Sequence, residues 1–259
     1  MTHGLQWRFA RASVVGSSHV ESGVPCQDRS IHALIPATFE PNGVLIMAAS
    51  DGAGSAVHSD VGASIVCEEI VKLAASHLML RGNTDSIRPE DVVSWFSRIV
   101  VALSREAVER DALFRDFACT LLFSVIGYRR SVFVQIGDGA IIDSNSHSLR
   151  LVFNPQRGEY ANTTNFVTDG GASAKLEIEV SEHRPEAVAI LTDGLQSLAL
   201  DFNSMKPFEP FFSPLFSQLR IFPPGESLEF REKLTRFLGS PRVNERTDDD
   251  KTLILAART

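Results

Sequence analysis

The chain has 259 residues, 44% of them hydrophobic, which is enough for a sizeable core, and no linker divides it, so one domain over residues 1–259 is expected. Its 25 basic and 32 acidic residues leave a net charge of −7, with no stripe of Lys or Arg to neutralise a nucleic-acid backbone, which argues against nucleic acid as a primary partner. No run approaches the roughly 20 apolar residues of a membrane span, and residues 1–15 lack the apolar core of a signal peptide, so a soluble, cytoplasmic protein with no membrane partner is expected.

In chain order, residues 7–16 ("WRFARASVVG") and 43–50 ("GVLIMAAS") predict strands, the second too continuously apolar to have a wet face. From Ala56 the period changes: Val57, Val61, Ile65, Val66, Ile70, Leu73, Ala74 and Leu78 recur at three and four, the stripe of an amphipathic helix. A second helix starts at Pro89 and carries Val92, Phe96, Ile99, Val100, Leu103 and Ala107 on one side. "FACTLLFSVI", "SVFVQIG", "KLEIEV", "AVAILT" and "TLILAA" then read as strands separated by short turns, a pattern that favours antiparallel pairing over β-α-β crossovers. Two packed sheets flanked by helices are the simplest solution. The Phe-rich stretch 202–222 reads as a cap of irregular turns and a short helix whose rings pack on the core. Residues 242–250 ("RVNERTDDD") form a charged loop that runs straight into the last strand. No internal repeat is present. Cys26, Cys67 and Cys119 form no C-x-x-C pair, and none has an Arg six positions on, so thiol chemistry is set aside.

Aspartates recur at strand ends. Asp51 and Asp193 each close an apolar run and precede a glycine, Asp138 sits in "VQIGDG", Asp28 lies just before "SIHALI", and Asp249 or Asp250 opens the last strand. Converging carboxylates repel one another and are costly to desolvate, so such a cluster needs cations at neutral pH. Oxygen ligands without His or Cys select hard ions, magnesium or manganese rather than zinc. A glycine after a ligating Asp lets a backbone carbonyl approach the metal. Two ions about 3.5 to 4 Å apart can bridge and acidify one water and clamp a phosphate for in-line attack.

In this order "PCQD" (25–28), "SDGAGS" (50–55), "FACTLLF" (117–123), "IGDG" (136–139), "LTDGL" (191–195) and "DDKT" (249–252) resemble the motifs of the metal-dependent serine/threonine protein phosphatases of type 2C, the PPM family, across nearly the whole chain. "GSSHVESGVPCQD" and "GEYANTTNFVT" are most similar to a bacterial branch. The resemblance implies an α+β fold, a four-layer α-β-β-α sandwich of two mainly antiparallel sheets. It also implies hydrolysis of phosphoserine and phosphothreonine by a metal-bridging water, on protein substrates of a Ser/Thr kinase. Residue by residue it makes Asp51 the carboxylate bridging two Mn2+ or Mg2+ ions, Gly52 a carbonyl ligand, and Asp193 and Asp249 the remaining ligands. Asp138 matches the residue that, with the "TDG" aspartate, holds a third, weaker metal in some members. Asp28 matches an aspartate that holds metal-bound waters, and Gln27 stands where a Glu usually acts through water.

Four positions depart from the pattern. Gly23 stands where many relatives have a phosphate-gripping Arg, Ala53 where a proton-donating His is common, Ala140 where an Arg often follows, and Ser197 where an Asp is usual. His19 and Ser18 are the local substitutes for phosphate contact or proton donation, with His58 behind them. Two rival readings stay open. Asp248, Asp250 and Thr252 fit the D-x-D-x-T of haloacid-dehalogenase phosphatases, although that motif follows its strand and this one precedes it. A catalytically impaired member could serve as a phosphoprotein-binding or sensor module. Residues 154–173, where the family carries a variable flap, are expected to select the substrate.

Overall fold

The computed structural model describes residues 7–36, 40–144, 148–157 and 164–258. The segment 154–173 and the stretch "GEYANTTNFVT" therefore lie partly outside the described residues. In chain order the elements are β1 (Arg8–Val14), α1 (Ser17–Ser22), β2 (Arg29–Ile35), β3 (Val44–Ser50), α2 (Ser59–Arg81), α3 (Pro89–Glu109), β4 (Leu121–Ile126), β5 (Ser131–Ile136), β6 (Ala140–Ser144), β7 (Leu149–Leu151), α4 (Ala172–Lys175), β8 (Glu177–Ser181) and β9 (Ala187–Leu191). They continue with α5 (Gln196–Ala199), β10 (Leu200–Asp201), β11 (Lys206–Pro207), α6 (Glu209–Arg220), β12 (Gly225–Glu226), α7 (Leu228–Leu238), α8 (Pro241–Asn244) and β13 (Lys251–Ala257).

A five-stranded sheet runs β2-β3-β4-β5-β8 and a six-stranded sheet runs β12-β1-β13-β9-β6-β7. Every pairing in them is antiparallel except that of β1 with the short β12. The apolar side chains sort into three layers. Along β3, Leu45, Met47 and Ala49 face Ile190 and Ile254 of the other sheet, whereas Ile46 and Ala48 face α2 and α3. On the far side, Leu191, Leu253 and Leu255 meet Phe212, Phe216, Phe230 and Leu234 of α6 and α7. Both faces of β3 are thus dry, which explains its unbroken apolar run. The result is the expected α-β-β-α order.

Local signals explain the long helices. Pro89 opens α3, and the Asp91 carboxylate accepts from the Arg88 backbone N–H at 2.9 Å. Gly82 ends α2 in the left-handed region, with φ 89°. Three expectations change. α2 begins at Ser59, so Val57 lies before it and is 77% exposed rather than part of the buried stripe. Residues 17–22, to which no element is assigned from sequence, form the short helix α1. The Phe-rich cap holds a helix of 12 residues, α6, and α7 follows it unanticipated. Among the described residues no helix is long and apolar enough to cross a membrane.

Candidate functional site

One end of the sandwich gathers the aspartates, because strands from both sheets stop there. Asp51 leaves β3 of the first sheet and Asp193 follows β9 of the second, while residues 137–139 carry the chain from β5 to β6, and so from one sheet to the other, with Asp138 at the crossing. One carboxylate oxygen from each of Asp51, Asp138 and Asp193 lies within 4.8 Å of the other two. Like charges at that separation cost about 3 kcal/mol per pair at an effective dielectric of about 20. Among the described residues no Lys or Arg forms an ion pair with any of them. The buried Lys251 turns instead to Asn244 Oδ1 and the Asp249 carbonyl, both at 3.1 Å.

Asp51 is held by its backbone. Its N–H donates to Thr120 Oγ1 at 2.9 Å, its carbonyl accepts from Thr120 N–H at 2.8 Å, and Ser50 Oγ donates to the Thr120 carbonyl at 2.6 Å. Gly52 bridges to Cys119, and a Cβ on it would sit 2.9 Å from Ser59 at the start of α2. Packing alone therefore demands a glycine after Asp51. Gly194 is constrained likewise, since a Cβ there would run into the Asp250 carbonyl.

Asp28 is buried beside this group. Thr192 Oγ1 donates to its Oδ2 at 2.7 Å, while Oδ1 is buried with no partner, as is Asp138 Oδ1. Gln27 is buried too, and its Oε1 is also unpartnered. Burial pushes the Asp28 carboxyl up to about 7 although the Thr192 and Thr252 hydroxyls favour its charged form. Asp193 rises to about 7 through burial and then the charges of Asp138 and Asp249. Burial, then Asp28, Asp193, Asp249 and Asp138 in turn, lift Asp51 well above the carboxylate range, and burial raises Asp138. Repelling carboxylates, orphaned buried oxygens and an all-oxygen donor set fit hard divalent cations.

The three consecutive aspartates before β13 divide their work. Asp249 is exposed and lies outside the 4.8 Å group, although its charge is felt by Asp51, Asp138 and Asp193. Asp250 turns inward, accepting from Gly16 N–H at 2.7 Å and Gln27 N–H at 2.6 Å, with His19 Nδ1 3.0 Å from its Oδ2. It ties α1 and the "PCQD" segment to the last strand. Asp248 is exposed, and its carbonyl accepts from both the N–H and Oγ of Ser18, at 3.0 and 2.8 Å. A D-x-D-x-T nucleophile is thereby disfavoured: Asp250 is fully occupied in holding backbone, and Asp248 is on the outside.

The departures also have structural causes. Gly23 caps α1 at φ 72°, a conformation an Arg would adopt only with strain. Ala53 packs with Ala56, Ala118 and Phe166, Ala140 is buried in β6, and Ser197 Oγ bonds the Arg246 carbonyl at 3.4 Å. His58 lies over the Phe117 ring at the start of α2. Thr120 and Thr192 are residues that sequence reasoning passed over, and Thr252 and Asp250 were weighed there only for other roles. Each stood inside a quoted motif, but its task is a contact with a residue 60 or more positions away.

The family model described as Protein phosphatase 2C matches residues 15–239. Serine/threonine-protein phosphatase 3 of Escherichia coli (strain K12) is 37% identical over 254 residues, which span 97% of this chain and 98% of that protein. Among solved structures, serine/threonine phosphatase Stp1 from Staphylococcus aureus superposes with a TM-score of 0.64 at 14% identity, over 100% of this chain and 98% of its own. PppA of Pseudomonas aeruginosa does so with a TM-score of 0.62 at 15% identity, over 98% of each chain. These two likenesses show a shared fold.

Proposed function

Since the chain belongs to the protein phosphatase 2C family and is a metal-dependent serine/threonine protein phosphatase, we propose that Asp51, Asp138, Asp193 and Asp249, with the Gly52 carbonyl, hold its magnesium or manganese ions. Two ions, with a weaker third at Asp138 and Asp193, match this donor set, and Gln27 joins it through water. The observation that carries the reading is the convergence of Asp51, Asp138 and Asp193 at the meeting point of both sheets with no cationic side chain paired to them among the described residues. When bound, such ions supply Lewis acidity, acidifying water and offsetting phosphate charge.

The chain's own residues do the rest. Thr120 fixes the Asp51 backbone, so the carboxylate enters the site already oriented. Asp28, with Oδ2 held by Thr192, offers its unpartnered Oδ1 as the acceptor that orients the attacking water. His19, with Nδ1 against Asp250, has Nε2 left to hand a proton to the departing serine or threonine oxygen. Ser18, its hydroxyl already donated to Asp248, keeps only acceptor capacity for a substrate. The substrate is a phosphoprotein made by a Ser/Thr kinase, and one domain spanning the chain performs the reaction. The binding-module alternative has no observation in its favour.

Chelation tests this reading. Release of phosphate from a phosphoserine peptide should vanish with EDTA and return with manganese or magnesium but not with zinc alone; activity that survives exhaustive chelation contradicts it. His19→Ala should slow the phosphoserine peptide roughly 10²-fold while sparing an aryl phosphate, whose leaving group needs no proton. Equal losses on both would assign His19 to structure.

A further inference from the structure

Asp138 sits midway in the crossing from β5 to β6, and glutamines hold the chain on both sides of it. Before it, Gln156 grips the Gly137 backbone twice: the Gly137 N–H donates to Gln156 Oε1 at 3.0 Å, and the Gly137 carbonyl accepts from the Gln156 N–H at 3.1 Å. That carbonyl also accepts from Gln135 Nε2 at 3.2 Å, and after it Gln196 Nε2 donates to the Asp138 carbonyl. Gln156 has further partners. Its Oε1 accepts from Asn165 Nδ2 at 3.1 Å, and its Nε2 donates to the Lys175 carbonyl at 2.8 Å and to Glu177 Oε2 at 2.9 Å. Oε1 thus takes two donors and Nε2 serves two acceptors, the full capacity of a side-chain amide. A backbone N–H at one end and a backbone carbonyl at the other fix which way the amide points. This partly buried side chain therefore clasps the crossing that carries Asp138 to Asn165 and to residues 175–177, within and just beyond the stretch 154–173 read from sequence as the substrate-selecting flap. Gly137 has no room on its other side: its φ is 116°, and a Cβ on it would lie 2.5 Å from Thr120 Cγ2, part of the side chain that holds the Asp51 N–H.

We propose that Gln156 is a positioning residue for Asp138. Its own amide is fully spent, so it ligates no ion; it fixes the backbone before Asp138 so that this carboxylate stays close to those of Asp51 and Asp193, and it thereby sets the affinity of the weaker third ion. The inference rests on the metal-site reading of these aspartates. Repelling carboxylates withdraw along the softest stretch of backbone available, and a freed Gly137 peptide is such a stretch. The clasp also makes Asp138 respond to the flap, because whatever displaces Asn165 or residues 175–177 loosens the same amide.

Manganese titration of the metal-free parent and its variants, followed by the electron paramagnetic resonance of free Mn2+, tests this. The parent should take up two ions tightly and a third more weakly. Gln156→Met should raise the dissociation constant of the third ion by roughly 10- to 100-fold, the usual cost of removing a group that orients a metal ligand, and leave the two tighter ions at the parent's affinity. Asp138→Asn should cause the same selective loss, and the two losses should not add, because both act through one ligand. The exchange Gln156→Glu with Glu177→Gln keeps an acceptor for Gly137 and Asn165 and a hydrogen bond to position 177 at unchanged net charge, and it should restore the third ion. A folded Gln156→Met that binds all three ions as the parent does, or that weakens all three alike, contradicts the proposal. So do losses that add in full, or an exchange that fails to restore what Gln156→Met removes. Gln156→Ser, which lets water reach the Gly137 N–H, stands in if circular dichroism shows Gln156→Met unfolded; if neither folds, Gln156 holds the fold rather than Asp138 and the proposal fails. A parent that binds two ions and no third overturns the proposal and leaves the metal reading of Asp51 and Asp193 intact, whereas a parent that binds no manganese overturns that reading itself.

Discussion

Asp51→Asn should lower turnover of phosphoserine peptides by roughly 10³-fold or more while raising the stability of the metal-free protein. Both effects have one cause. The substitution keeps shape and size but removes the charge that a pair of cations would share, and loss of several kcal/mol of transition-state stabilisation corresponds to that factor. In the metal-free state the same charge is a burden, since Asp28, Asp193, Asp249 and Asp138 all oppose its ionisation and burial opposes it more. Replacing it with a neutral amide removes those repulsions, so the EDTA-treated variant should melt above the EDTA-treated parent. A turn aspartate with no role in metal binding would give neither result: near-parent activity in the folded variant, or a metal-free melting temperature that drops, contradicts the assignment.

The metal-free protein should also lose stability as pH rises from about 4 to about 7. The sign follows from linkage. In the unfolded chain Asp28 and Asp193 release their protons near the ordinary aspartate value of 3.8, whereas in the folded chain both hold them to about 7. Across that window the native state binds more protons than the unfolded state, so the unfolding free energy falls with pH and levels off above it. Two buried carboxyls that stay protonated to near neutrality amount to a few kcal/mol, because each tenfold change in proton affinity is worth about 1.4 kcal/mol. Added manganese should reverse the trend, since cations bind the deprotonated carboxylates and their stabilisation grows as protons leave. Urea midpoints of the chelated protein measured from pH 5 to 8 decide the matter. A midpoint that rises with pH in the absence of metal would mean that Asp28 and Asp193 are charged and satisfied by the protein itself.

Much of the site was legible because it lies where two local patterns meet. An apolar strand must end somewhere, and an aspartate followed by a glycine at that end is visible in one dimension, as at Asp51 and Asp193. The Pro89 start and the apolar stripe of α3 were equally local. What escaped the sequence depends on contacts between distant segments. α1 has six residues, too few for a period to show, and nothing near it signals that Asp250, over 220 positions away, will hold Gly16 and Gln27. The aspartates 248, 249 and 250 look alike in sequence, yet Asp248 and Asp249 are exposed, with the charge of Asp249 felt at the carboxylate group, while Asp250 is a buried tie, because the loop before β13 is fixed by contacts to Gly16, Ser18 and Gln27, more than 220 positions away. From sequence the glycine of "SDG" reads as an opening for a carbonyl ligand, whereas the start of α2 against it already requires a missing side chain. That second reason becomes visible only once the helix is placed.

Whether the aspartates at the meeting point of the two sheets are a divalent-metal centre is measured most directly by anomalous diffraction at the manganese edge, from crystals grown with manganese. Strong peaks are predicted between the Asp51 and Asp193 carboxylates, and they should disappear in Asp51→Asn crystals grown the same way. Manganese bound elsewhere on an active enzyme, with no peak between Asp51 and Asp193, would contradict the assignment.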